Sequence, residues 1–186
     1  MGTLKIGGLD PSLNNFGMIK GLVTLDDAQF HAASGQLTEA PPTKDKKAIR
    51  KNSDDLFRAR KHQAAMTEFF RDVDIICVEI PVGSQSARAM ASYGICIGII
   101  SSIGKPLIQV TPAEVKMVSV GSKTASKKEM IEWAAAKHPN LNWYSRKNGD
   151  LLNKNEHLAD AVAAIHAGML TDEFKGMLAI RKSQDQ

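Results

Sequence analysis

Cysteine is scarce in this chain of 186 residues, which contains two, Cys77 and Cys96. One stands in an apolar, strand-like run and the other in a helix-like run of small residues, so the pair forms neither a disulfide framework nor a zinc-binding pattern. Both are predicted to be buried small hydrophobic residues of a protein in a reducing compartment.

Long apolar runs are also missing. The longest, around residues 93–103, is too short and too interrupted by serine and glycine to cross a bilayer. No secretory pattern opens the chain, and Ile6 stands where an N-myristoylation motif requires Ser or Thr. These features predict a soluble, intracellular, cytoplasmic protein with no membrane partner.

What the chain does contain is enough apolar material for one core. Hydrophobic residues make up 43% of the sequence, and the length is too small for two comfortable domains, so residues 1–186 are predicted to form a single domain. The net charge of +4 favours an acidic partner such as nucleic acid without identifying one.

The hydrophobic patterns predict a mixed α/β sheet of five strands. Three strands come first and two more alternate with helices, which indicates three antiparallel strands, two parallel strands and flanking helices. The predicted strands are 4–9, 16–25, 28–37, 73–80 and 105–110. Helices are predicted after the N-caps Ser53 and Thr111, over 86–104 and 126–138, and finally over 155–170.

Between the third strand and the first helix lies a basic connection, which is interpreted as a solvated loop or as a surface for phosphate. Its basic residues are Lys44, Lys46, Lys47, Arg50 and Lys51, with Arg58 following in the helix.

Acidic residues stand at two predicted strand ends. Asp10 and Glu79 each follow an apolar run, and ligand sites gather at the carboxyl ends of strands in α/β sheets. In the last helix, His157 and Asp160 lie three residues apart and share one border of the apolar stripe. Glu156 is an alternative to His157. Each residue alone also has an ordinary interpretation, as a turn former or an exposed polar residue.

Together these side chains would offer hard oxygen ligands and one imidazole. Such a set suits Mg²⁺ or Mn²⁺ better than a structural zinc. Two such ions can stabilise both the attacking water and the leaving oxygen of a phosphodiester. The cluster therefore predicts a metal site for Asp10, Glu79, His157 and Asp160.

Four stretches in order resemble the RuvC family of Holliday-junction resolvases, which has a ribonuclease H-like fold. They are GLDPSLNNFG, VEIP, TPAEVKMVSVGSKTASKK and HLADAVAA. The resemblance implies that Asp10, Glu79, His157 and Asp160 bind two catalytic metal ions, and that Lys116 and Lys127 support phosphate or the transition state. It also implies a homodimer, with 86–104 as the contact, that cuts two strands of a four-way DNA junction symmetrically.

The chain departs from that family at several positions. Ser12 replaces a usual glycine, Phe16 a common threonine, and Val82 the bulky residue associated with junction opening, while Lys123 adds a charge. Ser12, Asn14 and Asn15 are expected beside the scissile phosphate. The connection 139–155 is longer than usual, and its Trp143, Tyr144, Arg146 and Lys147 are interpreted either as a DNA contact or as packing on the body.

Other functions stay open. A ribonuclease H-like nuclease for forks, flaps or other branched nucleic acid is one alternative, and an inactive DNA-binding relative is another. An actin-like or Hsp70-like ATPase needs two lobes, which a chain of 186 residues with a basic pI does not supply.

Overall fold

The computed structural model, which describes residues 2–44 and 50–184, has a five-stranded sheet with helices on both faces. The strands are β1 (Thr3–Pro11), β2 (Asn15–Thr24), β3 (Phe30–Glu39), β4 (Ile75–Glu79) and β5 (Leu107–Val110). The helices are α1 (Lys51–Phe69), α2 (Ala87–Ser101), α3 (Pro112–Val120), α4 (Lys127–Lys137), α5 (Glu156–Gly168) and α6 (Asp172–Gln184), with a 3₁₀ turn at Asn153–Asn155.

The strands lie in the order β3-β2-β1-β4-β5. The first three are antiparallel, while β4 runs parallel to β1 and β5 runs parallel to β4. The predicted mixed sheet of three antiparallel and two parallel strands is therefore confirmed. None of the described helices is both long enough and apolar enough to span a bilayer.

Each face of the sheet has its own apolar core, because side chains alternate along a strand. Leu4 and Ile6 of β1 belong to the core shared with α3 to α6. Leu9 points the other way, into the core shared with α1 and α2. The face on which a strand residue lies therefore decides which helices it meets.

Two glycines allow α5 to lie directly on the sheet. A Cβ at Gly8 would overlap the carbonyl oxygen of Ala161, and one at Gly17 would overlap the carbonyl oxygen of His157. Since those neighbours are backbone atoms, they cannot turn aside as a flexible side chain would. The glycines of the GGLD and FG segments thus fix how closely α5 approaches β1 and β2.

Two predictions about the helices are wrong: the start of the first helix, and the position of the last helix in the chain. The first helix begins at Lys51 with Arg50 as its N-cap, because the amide of Ser53 already donates to the Arg50 carbonyl. Asp54 and Asp55 are buried instead of capping a solvated first turn. The chain also does not end with α5, since α6 follows and buries Phe174 and Leu178. Thr111 and Ser126 do cap α3 and α4, each in a capping box.

Candidate active site

The pleat of the sheet places Asp10 and Glu79 on the face that α5 covers. Asp10 pairs with Gly17 in the last part of β1, two residues after Gly8, whose missing side chain would meet α5. Glu79 ends β4, two residues after Cys77. Cys77 packs in the apolar core between the sheet and α5. Both carboxylates therefore lie at carboxyl ends of parallel strands and on the same face.

The first turns of α5 bring the other two predicted residues to the same place. His157 Nδ1 lies 2.7 Å from Asp10 Oδ2. Asp160 follows three residues later, so it lies on the same side of the helix. Burial and the charges of Asp10 and Asp160 all raise the pKa of Glu79, so the three acids lie within electrostatic range of one another.

Glu156, the alternative to His157, has a different partner. Its Oε2 lies 2.5 Å from Lys127 Nζ at the start of α4. It is His157, and not Glu156, that contacts Asp10. Glu156 forms the outer edge of the cluster, where the hydrogen bond from Lys127 offsets its charge and raises the pKa of the Lys127 ammonium.

Lys116 of α3 acts on the cluster through its charge. Its positive charge lowers the pKa of both Glu79 and Asp160, although burial and the other acids outweigh it. The structure thus brings the four predicted ligands and Lys127 together around the amino end of α5, with Lys116 within electrostatic range of Glu79 and Asp160.

Burial and mutual repulsion dominate the electrostatics of the cluster. Burial, reinforced by the charges of Asp10 and Asp160, raises the pKa of Glu79 to about 8. Burial and the charge of Asp10 raise the pKa of Asp160 to about 7. Burial also opposes ionisation of His157, but the hydrogen bond to Asp10 and the nearby carboxylates outweigh it, so the pKa of His157 is raised.

The cluster has the donor chemistry for a hard divalent cation. Within residues 2–44 and 50–184, no three His, Cys, Asp or Glu side chains lie close enough to enclose an ion by themselves. Mg²⁺ needs only one or two protein carboxylates, because it keeps several of its waters. A cation bound between acids that repel one another stabilises their ionised forms. The residues therefore fit Mg²⁺ or Mn²⁺.

Reasoning from sequence did not foresee the support beneath the loop between β1 and β2. Arg58 and His62 of α1 are buried, with 3% and 0% of their surface exposed, and both bind the carbonyl oxygen of Leu13. The spacing of Asp54, Asp55 and Arg58 was the signal available, since acids three and four residues before an arginine can pair on one helix face.

Several basic residues have protein partners. Arg88 binds both carboxylate oxygens of Asp55, at 2.6 and 2.7 Å. Lys51 also lies beside Asp55, at 3.3 Å. Lys46 and Lys47 lie outside the described residues, whereas Lys44 and Lys123 are exposed.

The connection before α5 forms a small hairpin. Ser145 and Leu151 pair as an antiparallel bridge, with Arg146 and Lys147 exposed at the turn. Trp143 packs on the core and donates its Nε1–H to the His138 carbonyl, so for Trp143 the interpretation as packing is correct. Tyr144 lies under the ammonium of Lys154.

Asn155 attaches this hairpin to the site. It is fully buried, and its side chain accepts from the amide of Tyr144 and donates to the carbonyl of the same residue. Because Asn155 directly precedes Glu156 and His157, the hairpin has a fixed position beside the cluster.

No protein-family model matches the chain, and no curated protein matches its sequence. Its architecture defines the ribonuclease H-like class of fold. Among solved structures it is similar to Thermus thermophilus RuvC in complex with a Holliday junction substrate, with a TM-score of 0.64 and 18% identity over 93% of this chain and 96% of that one. It is also similar to the fowlpox virus resolvase in complex with Holliday junction DNA, with a TM-score of 0.52 and 17% identity over 94% and 99%. The resemblance to RuvC is thus confirmed at the level of the fold.

Proposed function

We propose that the protein is a metal-dependent endonuclease that resolves four-way DNA junctions by paired, symmetric hydrolysis of two phosphodiester bonds. The observation that carries this proposal is the joint placement of Asp10, Glu79, His157 and Asp160 at one sheet edge, within a fold similar to that of RuvC.

In this proposal the four side chains hold one or two Mg²⁺ or Mn²⁺ ions. Such ions supply charge stabilisation to the attacking and leaving oxygens of the phosphodiester. Asp10, Glu79 and Asp160 provide the negative charge that retains them. His157, hydrogen-bonded to Asp10, either completes the ligand set or orients the attacking water as a base.

The surrounding lysines act on the DNA. Lys116 and Lys127 lie at the cluster and support the scissile phosphate or its transition state. Arg146 and Lys147 on the hairpin, with Lys123 and Lys128, contact flanking phosphates. Because such contacts release counterions from DNA, binding weakens as salt increases.

We also propose a homodimer, since two symmetric cuts need two sites. The outer face of α2 carries Met90 and Ile97, which are 47% and 49% exposed, beside Gly94 and Gly98, where added side chains would meet nothing. An exposed apolar face with small residues suits close packing against a second copy.

Replacement of Asp10 by asparagine tests the site. Asp10→Asn keeps the shape of the side chain but removes its charge, and it is expected to slow Mg²⁺-dependent junction cleavage about 1000-fold or more, since several kcal/mol of charge stabilisation are lost. Junction binding, measured by gel shift, should persist. Asp172→Asn, at an exposed position on α6, serves as the control and should cut normally. Cleavage by Asp10→Asn at the wild-type rate would refute the proposed site.

A further inference from the structure

A second pair of histidines lies at the other end of α5, away from the acidic cluster. His166 comes nine residues after His157, which places it about 14 Å farther along the helix axis. Its Nε2 lies 2.9 Å from Nε2 of His138, the residue that caps the carboxyl end of α4. The two imidazoles therefore meet through nitrogens that can each bind a metal ion.

This histidine pair borders a cavity of about 600 Å³ between the start of β3 and the carboxyl ends of α4 and α5. Phe30, His138, His166 and Met169 all line it. Met169 follows His166 by three residues, so both side chains lie on the same side of the helix. Two imidazoles and one thioether therefore surround a space that is large enough for an ion and its waters.

Aromatic side chains hold the two histidine rings in place. The edge of Phe30 packs against both imidazoles, with ring centroids 5.2 Å from His138 and 5.6 Å from His166. Trp133 packs against His166 at 5.4 Å, and the indole of Trp143 donates to the His138 carbonyl at 3.0 Å. Because these contacts already order the rings, a ligand that binds both of them loses little side-chain entropy.

The electrostatics of the cavity suit a cation bound by neutral imidazoles. Burial disfavours the charged form of both rings and lowers the pKa of His138 and His166 to about 4, so their lone pairs are available near pH 7. Helices α4 and α5 both end here, and the carboxyl end of a helix carries partial negative charge. Lys137 opposes a cation, but its side chain is exposed, and solvent screens its charge.

An ion can enter the histidine pair after a small rearrangement. Two nitrogens that each lie about 2.05 Å from a tetrahedral ion are about 3.3 Å apart. The two Nε2 atoms therefore need to separate by about 0.4 Å, while each ring turns until both lone pairs meet at the ion. The ring that donates its Nε2–H to the other then carries that proton on Nδ1, so the neutral pair binds the ion without net release of a proton.

The donor set favours copper. Imidazole is a ligand for zinc, nickel and copper, a thioether is a soft donor that favours copper, and Cu²⁺ binds most tightly among the divalent first-row ions. We infer that His138, His166 and Met169 form a copper-binding site in this cavity, separate from the acidic cluster. The acidic cluster suits a hard ion, whereas this site takes a softer one. The inference does not rest on the proposed nuclease function.

Copper titration of the metal-free protein tests the site. Asp10→Asn serves as the background, because it weakens the acidic cluster as a competing site for Cu²⁺. One Cu²⁺ per chain should quench the fluorescence of Trp133 and Trp143, which both contact the histidine pair. The EPR spectrum should show coupling to two imidazole nitrogens. The acidic cluster contains a single imidazole, that of His157, so it cannot produce this spectrum.

Three further variants in the same background identify the ligands. His166→Gln should weaken Cu²⁺ binding about 100-fold or more, since even a residue outside the ligand set is typically worth about 10- to 100-fold in metal affinity. Met169→Leu conserves the apolar volume, and it should lower the affinity for Cu⁺ by about 10-fold while leaving that for Zn²⁺ unchanged. His31→Gln, at an exposed position on the same cavity, is the control and should bind copper as the background does.

Several outcomes would overturn the inference. They are the absence of quenching in the Asp10→Asn background, an EPR spectrum with a single imidazole nitrogen, quenching that persists in His166→Gln, and equal Cu⁺ affinities with and without Met169→Leu. The first two need no substitution in the cavity, so they decide the matter even if His166→Gln does not fold, which circular dichroism would reveal. In those cases His138 and His166 would be an ordinary hydrogen-bonded pair.

Discussion

Uncompensated negative charge is the main electrostatic feature of the site at the residue scale. Glu79 and Asp160 are half-buried beside Asp10, and their raised pKa values show that ionising both of them next to the charge of Asp10 is unfavourable. A metal-free protein therefore keeps protons at this site near neutral pH. A divalent cation competes with those protons, so its binding weakens as pH falls.

Glu79→Gln tests this charge imbalance through stability. The pKa of Glu79 rises on folding from 4.5 to about 8, so its protonated form favours the folded state below pH 4.5, and that advantage is lost as pH rises through 8. Metal-free Glu79→Gln should therefore gain stability relative to the wild type between pH 5 and pH 8, as measured by urea unfolding.

The control for that measurement is Glu132→Gln, at an exposed position on α4. Its stability relative to the wild type should not change over the same interval. Added Mg²⁺ or Mn²⁺ should stabilise the wild type at pH 8 more than Glu79→Gln. Equal pH profiles for Glu79→Gln and the wild type would show that Glu79 is not held in an uncompensated cluster.

Residues of the site differ in how far the sequence predicts them. Asp10 and Glu79 are predictable because an acid that ends an apolar strand is conspicuous. His157 and Asp160 are predictable from helical spacing. Arg58 and His62 are not predictable, because their partner is a backbone carbonyl oxygen of a distant loop. Every residue has such a carbonyl, so the residue type at position 13 does not reveal the contact.

At the scale of elements, the position of α5 on the sheet determines the geometry of the site. The helix carries His157 and Asp160, and the strands beneath it carry Asp10 and Glu79. Gly8 and Gly17 set the distance between them. A small change in that distance would alter the contact between His157 and Asp10, even with every site residue present.

Gly17→Ala tests the close approach of α5. Its methyl group would overlap the His157 carbonyl, which is backbone and cannot rotate away. Overpacking of this kind typically costs about 1–3 kcal/mol, so the free energy of unfolding should fall by about that amount and junction cleavage should decrease. Gly176→Ala, in an open position on α6, is the control and should be neutral or slightly stabilising. A fully stable and active Gly17→Ala would contradict the account of α5.

The elements themselves were predicted unevenly. Strands and capped helices carry strong local signals, and the sheet, α3 and α4 were foreseen for that reason. Helix α6 was missed because it buries little beyond Phe174 and Leu178 and contains a glycine, which is a poor helix former. The start of α1 was misplaced because Asp54 and Asp55 look like residues of a solvated first turn, whereas both are buried, and Asp55 pairs with Arg58 and Arg88.

At the scale of the whole molecule, the two faces of the sheet have different expected roles. The face under α5 carries the cluster, and the opposite face carries α1 and α2 with the exposed apolar surface. The network of Arg58, Asp55 and Arg88 connects α2 with the loop beside the cluster. Dimerisation through α2 would therefore take place near the element that supports the site.

Mass measurements on the protein in solution test the dimer. The wild type at micromolar concentration should have twice the mass of one chain by light scattering. Ile97→Asp places a charge on the proposed contact and should shift the mass toward the monomer. Ile180→Asp, at an exposed position on α6, is the matched control and should remain dimeric. A monomeric wild type would contradict this part of the proposal.

The similarity of the whole fold to that of RuvC was predictable from a few short stretches of sequence. At 18% identity with Thermus thermophilus RuvC, most of the surface and core differ in sequence. The short stretches that place acids at strand ends nevertheless indicated the fold. Where those acids lie is set by the order of strands and helices, and many different core residues are compatible with that order.

The most direct test of the account is one cleavage gel with the wild-type protein and Mg²⁺. Its substrates are a synthetic four-way junction, a fork and a linear duplex of matched sequence. The account predicts that the junction is cut by paired nicks at symmetric positions in two strands, that the linear duplex stays intact, and that EDTA abolishes cutting. Cutting of forks alone, or junction binding without any cutting, would contradict it.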